Sequence, residues 1–389
     1  MTLREPHTLS HTGILDSLAL HQSLPRPAYE ANYQPTYPDP HDLIMAIHEL
    51  RHTTPVTTPA QIDQLQADLS AVVLGEVERP VILDGRCAEP VDARQPVSSL
   101  VRDAERSRSI TLSAVPDAIV IQRNRGQNTK PRSRATETVN GLEVTSYLGD
   151  AVNGQHPSQR EPQPSRMVSA ALQARDLEAG LSAAVGGHVP AAHEALLLPY
   201  ERPFLANGYL LSADLPWIGK RTNALDGEHV KLLAGVQNPV GVKIGPDSDP
   251  THIAGLDQRL NPDGVPGKLV MMLRVGLGNA ALRPIVHSIA RHAPQAMLMY
   301  DIHGVTKSIS GNKIRAVEDI TAEVAELAAV CGEAGLKLHG LHLETIMDDS
   351  RLECVDRADQ TPTHPGGVDP QLNPEQKQRV LEATAGYLL

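Results

Sequence analysis

The stretch VGVKIGPDSDPTHIAGLDQRLNPDGVPGKLVMMLRVG, residues 240–276, decides the fold. It opens on a short apolar run, VGVKIG (240–245), and closes on another, LVMMLRVG (269–276). Between them THIAGLDQRL brings apolar residues back at three- and four-residue steps, so the stretch is one strand–helix–strand unit. The rhythm recurs in both directions. PVILDGRC (80–87), AIVIQR (118–123), YLLSADLPWIG (209–219), AMLMYDIHG (296–304) and LHGLHLE (338–344) are further strands. EHVKLLAGV, ALRPIVHSIARHA and KIRAVEDITAEVAELAAVCGEAG are helical, and NPEQKQRVLEATAGYLL, with Pro just inside its start, closes the chain as a helix.

Seven strands are visible, and an eighth falls in the weakly patterned region before His193. The expectation is an α/β fold, a (β/α)8 TIM barrel with a helical N-terminal extension. A doubly wound open sheet is the runner-up. Charged residues at nearly every strand end suit one barrel mouth, and no Gly-rich phosphate fingerprint follows the first strand. Residues 1–76 are expected to form an irregular arm and helical extension, with a helix start at Thr58 before Pro59, and residues 77–389 the barrel. GDAVNGQHPSQREPQPSR (149–166) reads as a surface loop.

The 389 residues are 41% hydrophobic and 21% charged, an ordinary globular composition. One Trp, one Phe and eight Tyr make aromatics only 3%, so the core must be aliphatic. Lys plus Arg (35) minus Asp plus Glu (46) leaves −11, the wrong sign for a nucleic-acid binder. Three cysteines without a CxxC pair fit a reducing cytoplasm. The first residues lack a signal-peptide pattern, and no run approaches the roughly 18 apolar residues of a membrane span.

The strand ends carry Cys87 and Glu89, Arg123, Trp217 with Lys220 and Arg221, Lys243, Arg274, Asp301, His303, His342 and Glu344, and TKPRS adds Lys130, Arg132 and Ser133. Each alone has an ordinary explanation: a solvated cation, a buried thiol, a satisfied histidine. In a barrel they converge. Two basic clusters in an acidic protein imply an anionic substrate with phosphate or carboxylate groups. A Cys, His and carboxylate mixture suits a divalent transition metal.

The ordered series RCAE (86–89), QRNRGQNTKPRS (122–133), HEALLLPYE (193–201), WIGKRT (217–222), NPVGVKIGP (238–246), LRVG (273–276), DIHGVT (301–306), GLHLE (340–344) and DPQLNPEQ (369–376) closely resembles the type II 3-deoxy-D-arabino-heptulosonate 7-phosphate (DAHP) synthases, from about residue 40 onward. The resemblance implies metal-dependent condensation of phosphoenolpyruvate with erythrose 4-phosphate. It places metal ligands (Mn²⁺, Co²⁺ or Zn²⁺) at Cys87, His303, Glu344 and Asp369, the last not evident from pattern alone. It places phosphoenolpyruvate contacts at Arg123, Lys130, Lys220, Arg221, Lys243 and Arg274, with Glu194 and Trp217 nearby. Sugar-phosphate contacts fall on Arg132, Ser133 and Thr306. Lys130, Glu194 and Lys243 are the candidate catalytic groups, with Lys130 as proton donor to the nascent alkoxide. A cytoplasmic homo-oligomer, dimer or tetramer, is expected.

Several positions depart from the family pattern. Lys220 stands where Glu is usual, DIHGVT has Val305 where DPMHGNT has Asn, and Gln371 replaces the Arg of DPRLN. Val305 and Gln371 are expected on the aldehyde side of the pocket, which opens the alternative of another acceptor aldehyde. A silent paralogue that binds a partner and a barrel metallohydrolase are the remaining alternatives. The short segment between Glu201 and Trp217 leaves little room for an inserted helical pair, so weak or absent inhibition by Trp, Phe and Tyr is expected. The resemblance implies the first step of shikimate and aromatic biosynthesis; short forms of the family often serve secondary metabolism, for example phenazine supply, but the sequence names no pathway.

Overall fold

In a computed structural model of the chain, the described residues are 33–87, 96–123, 129–132, 134–139, 141–309, 312–357, 359–360 and 369–389. Most of the expected N-terminal arm, together with Glu89 and Ser133, lies outside them. Eight strands alternate with helices: β1 (Val81–Asp84), β2 (Ile119–Arg123), β3 (Ala191–Glu194), β4 (Leu215–Ile218), β5 (Val240–Ile244), β6 (Leu269–Leu273), β7 (Met297–Asp301) and β8 (Gly340–His342). All neighbours are parallel, and Val81 pairs with both Ile119 and Gly340, so the sheet closes on itself as the expected barrel. The eighth strand is β3, which contains His193.

Among the described residues two helices precede the barrel. Helix α1 (Pro40–Arg51) starts where the Asp39 side chain accepts from His41 N. Helix α2 (Pro59–Val73) starts on a reciprocal capping box between Thr58 and Gln61. Leu65, Leu69 and Val72 of α2 pack with Val81, Ile119, Leu215, Val270 and Met297, so α2 plugs the N-terminal end of the barrel. Ser70 Oγ and Gln66 Nε2 both donate to Pro266 O, at 2.7 and 3.0 Å. The adjoining Gly267 has φ +70°, and a Cβ there would lie 2.8 Å from the Leu69 backbone.

Helices α3 (Val97–Ala114), α4 (Ser165–Val185), α5 (Leu198–Glu201), α6 (Glu228–Ala234), α7 (Pro250–Leu260), α8 (Leu282–His292), α9 (Val317–Glu333) and α10 (Pro374–Thr384) form the outer layer. Outward strand residues such as Ile82, Val120, Val242, Met271, Leu298 and Leu341 bury against them. Away from the cavity, the sequence reading departs from the structure in two places. YLLSADLPWIG is divided: Tyr209–Leu210 pairs with Leu205–Ala206 in a small hairpin, and only Leu215–Ile218 joins the barrel. The 149–166 stretch is also no simple surface loop. Asn153 is fully buried, accepts from Leu148 N at 2.8 Å and donates to Ser146 O and Arg160 O, each at 2.9 Å. A polar knot of this kind has no hydrophobic signature in sequence.

Candidate active site

Alternation along the strands builds the site, because residues two apart share a face. Inside the barrel the lower positions are apolar: Ile119 and Ile121 on β2, Ala192 on β3, Leu215 on β4, Val270 and Met272 on β6, Met297 and Met299 on β7. Continuing each series by two reaches Arg123, Glu194, Arg274 and Asp301, while β5 contributes Lys243 and the end of β8 leads to Glu344. The upper layer is therefore polar. It opens into a cavity of about 720 Å³ lined by Cys87, Arg123, Lys130, Arg132, Glu194, Lys220, Arg221, Lys243, Arg274, His303, Thr306, Glu344 and Asp369.

Fourteen of the fifteen residues singled out for the site are described, and Trp217 alone among them is not at the cavity wall. It is fully buried one layer below, with Arg123 and Lys243 over its ring at 5.3 and 5.9 Å and His342 beside it at 5.3 Å. Trp217 is a floor that stacks on cations. A Cβ on Gly241 would lie 2.6 Å from Trp217 Cβ, so glycine at that position makes room for the indole.

One side of the cavity is a dense acid–base cluster. Ligating atoms of Cys87, Glu344 and Asp369 lie within 4.8 Å of one another. His303 Nε2 is 3.1 Å from Glu344 Oε1 and 3.8 Å from Asp369 Oδ2. Its other nitrogen, Nδ1, is 2.5 Å from Asp301 Oδ1, which also accepts from His303 N at 3.1 Å. A carboxylate on Nδ1 aims Nε2 at the remaining ligands, the usual backing for a metal-bound histidine. One thiolate, one imidazole and two carboxylates fit a divalent transition metal. A second grouping, Asp301, His303 and His342, is also compact. The Lys243 ammonium, 3.0 Å from Asp301 Oδ2, makes it a poor cation site.

Charges fix the protonation pattern. Burial works against the Glu344 carboxylate, but His303, Arg315 and Arg123 together hold it well below the usual range. Arg123 Nη1 and Arg315 Nη1 are 2.9 and 3.1 Å from its two oxygens. Asp369 is likewise depressed against its burial by Lys130, with further help from His303 and Lys313; Lys130 Nζ is 2.9 Å and Lys313 Nζ 2.7 Å away. Burial disfavours the Lys130 charge too, yet Cys87, Asp369 and Glu344 raise the ammonium above its ordinary value. Burial would lower His303, but Asp301 and Glu344 lift it to about 9. A divalent metal held there would have to displace that proton.

The opposite side is open. The Arg274 guanidinium has no hydrogen-bond or ion-pair partner among the described residues, and Glu194 Oε1 is buried without one. Lys220 reaches Asp247 Oδ1 at 2.9 Å, and Arg221 donates to Pro131 O. Arg132 is held by Glu137, which also binds Arg160. The structure adds cations that sequence reasoning missed: Arg134, Lys307 and Lys313 at the rim, and Arg315 behind it. Lys313 and Arg315 were read as the start of a long helix. They lie instead on or just after a two-stranded hairpin, Lys307–Ile309 with Asn312–Ile314, and α9 begins only at Val317.

Neither departure expected on the aldehyde side lines this cavity. Val305 is 3% exposed and packs in the layer between strands and helices, and Gln371 is fully buried behind Cys87. The β7 loop turns through a short 3-10 segment capped by Asp301, which points His303 and Thr306 inward and Val305 back into the core.

A closed (β/α)8 barrel whose mouth combines a four-ligand metal-type cluster with a ring of cations defines an enzyme for small anionic substrates. The chain belongs to the class-II DAHP synthetase family, whose model matches residues 25–190 and 182–383. It is 33% identical to a probable phospho-2-dehydro-3-deoxyheptonate aldolase of Pseudomonas fluorescens, covering 89% of this chain and 92% of that protein. It is 29% identical to the phospho-2-dehydro-3-deoxyheptonate aldolase of Neurospora crassa, covering 88% of this chain and 89% of the relative. The solved phospho-2-dehydro-3-deoxyheptonate aldolase of Francisella tularensis superposes with TM-score 0.50 at 13% identity, over 100% of this chain and 98% of that one, a likeness of fold alone. Among the described residues no helix is long and apolar enough to cross a membrane.

Proposed function

We propose that the protein condenses phosphoenolpyruvate with erythrose 4-phosphate to give DAHP and inorganic phosphate. The observation that carries this reading is the convergence of Cys87, His303, Glu344 and Asp369 with the cations of β2, β5 and β6 in one cavity. Those four residues would hold a divalent metal (Mn²⁺, Co²⁺ or Zn²⁺), which when bound would supply Lewis acidity toward the aldehyde. Arg123, Lys220, Arg221, Lys243 and Arg274 bind the carboxylate and phosphate of phosphoenolpyruvate, and forked guanidinium contacts hold one face of its double bond toward the aldehyde. Carbon 3 attacks the aldehyde carbon, and the proton that completes the new hydroxyl comes from the Lys130 ammonium. Water adds at carbon 2, with the unpartnered Glu194 oxygen as acceptor of its proton. The hemiketal then expels phosphate and becomes the ketone. Arg132, Ser133 and Thr306 are the proposed contacts for the phosphate of the second substrate.

The alternative acceptor aldehyde loses its main support, because Val305 and Gln371 face away from the cavity. The deciding experiment is phosphate release from phosphoenolpyruvate with Mn²⁺ and a panel of phosphorylated, aminated and unphosphorylated aldehydes. The highest kcat/KM with erythrose 4-phosphate supports the reading; higher turnover with another acceptor overturns it. A cytoplasmic homo-oligomer that performs the first step of shikimate and aromatic biosynthesis completes the proposal.

A further inference from the structure

Gln371 is fully buried and outside the cavity, yet it sits where three of the four proposed ligands meet. Its Oε1 accepts from Cys87 N at 2.8 Å. Its Nε2 is 3.4 Å from Glu353 Oε2, and its backbone N donates to the same oxygen at 3.1 Å. Glu353 is itself fully buried, with Arg351 Nη2 2.6 Å from its other oxygen. A backbone N–H requires an oxygen and a carboxylate requires a donor, so both contacts fix the same orientation of the amide. Asp369 lies two residues before Gln371. Leu372, one residue after it, donates from N to Glu344 O at 2.9 Å.

We propose that Gln371 is a positioning residue for the metal centre, which sets the Cys87 backbone against the Glu344–Asp369 side of the ligand set before any metal arrives. The inference rests on the metal-site reading above. The amide can do this because it accepts and donates at once. Leucine does neither, and arginine only donates. Groups that orient ligands from behind typically change metal affinity by about 10- to 100-fold when removed.

The test is a Co²⁺ titration of the full-length protein, followed by the thiolate-to-cobalt charge-transfer band and by calorimetry, with melting in EDTA as a separate readout. Wild type should show the band and Cys87→Ser should lose it. Gln371→Leu should bind Co²⁺ at least ~10-fold more weakly, with a shifted or weakened band. The isosteric variant Gln371→Glu, whose carboxyl when protonated against Glu353 keeps an acceptor for Cys87 N and a donor for Glu353 Oε2, should regain affinity and band. Absence of the band from wild type would overturn the metal reading, and this inference with it. A wild-type band together with unchanged affinity in Gln371→Leu would overturn the inference alone. So would a folded Gln371→Glu variant that recovers nothing, even if Gln371→Leu proves too unstable to titrate.

Discussion

The two halves of the barrel mouth differ in how their charges are answered. On the β1–β8 side almost every charged group already has a partner: Glu344 between two arginines, Asp369 between two lysines, His303 backed by Asp301. The frame behind it is equally tied, since the fully buried Asp84 accepts from Lys377 Nζ at 2.5 Å and Thr345 Oγ1 at 2.7 Å, and also from Ser107. On the β3–β6 side Arg274 and one oxygen of Glu194 remain unanswered. Buried polar groups are ordinarily satisfied, so unanswered ones in a cavity mark where a ligand completes the structure. One half is built to hold a geometry, and the other to receive an anion.

Substitutions should separate the halves. The largest expected effect on stability is Lys377→Met, which leaves Asp84 buried without its cation; the loss is roughly 3–5 kcal/mol by urea unfolding. An unchanged midpoint would show that the frame does not depend on this pair. On the open side, Arg274→Ala should leave melting nearly unchanged but raise KM for phosphoenolpyruvate roughly 10-fold or more, the worth of a charge-assisted bond. Equal losses of stability and affinity would erase the distinction between the halves.

A smaller effect concerns pH. Burial opposes the charge of His188, but Asp214 and Glu178, at 3.0 and 2.9 Å, lift it from 6.5 to about 9. A raised folded value means that the stabilisation is complete below about pH 6.5 and fades as pH rises through about 9. His188→Gln should therefore lower the melting temperature at pH 6 more than at pH 10. The smallest expected effect is on control. Between Glu201 and β4 the chain forms a 3-10 turn, Arg202–Phe204, and a hairpin of two-residue strands. Trp, Phe and Tyr together should barely change turnover, and strong inhibition would point to a site elsewhere.

The fold was legible because its evidence is periodic: short apolar runs alternating with helical steps, each ending in charge. The upper layer followed from it, since Arg123, Lys243, Arg274, His303 and Glu344 are strand continuations. What stayed hidden has no period. Asp369 belongs to no strand or helix, Lys313 and Arg315 sit at a hairpin too short to separate from the helix after it, and Trp217 could be placed on a strand but not at a depth. The Lys377–Asp84 pair joins residues 293 apart in sequence. Gln371 was read as facing substrate because it departs from a motif, whereas packing turns it toward Cys87.

Chelation tests the central claim most directly. Phosphate release from phosphoenolpyruvate and erythrose 4-phosphate should vanish in EDTA, return on adding Mn²⁺ to wild type, and fail to return in Cys87→Ser. Full turnover by the chelated enzyme, or an undiminished Cys87→Ser variant, would contradict a metal-assisted reaction at this mouth.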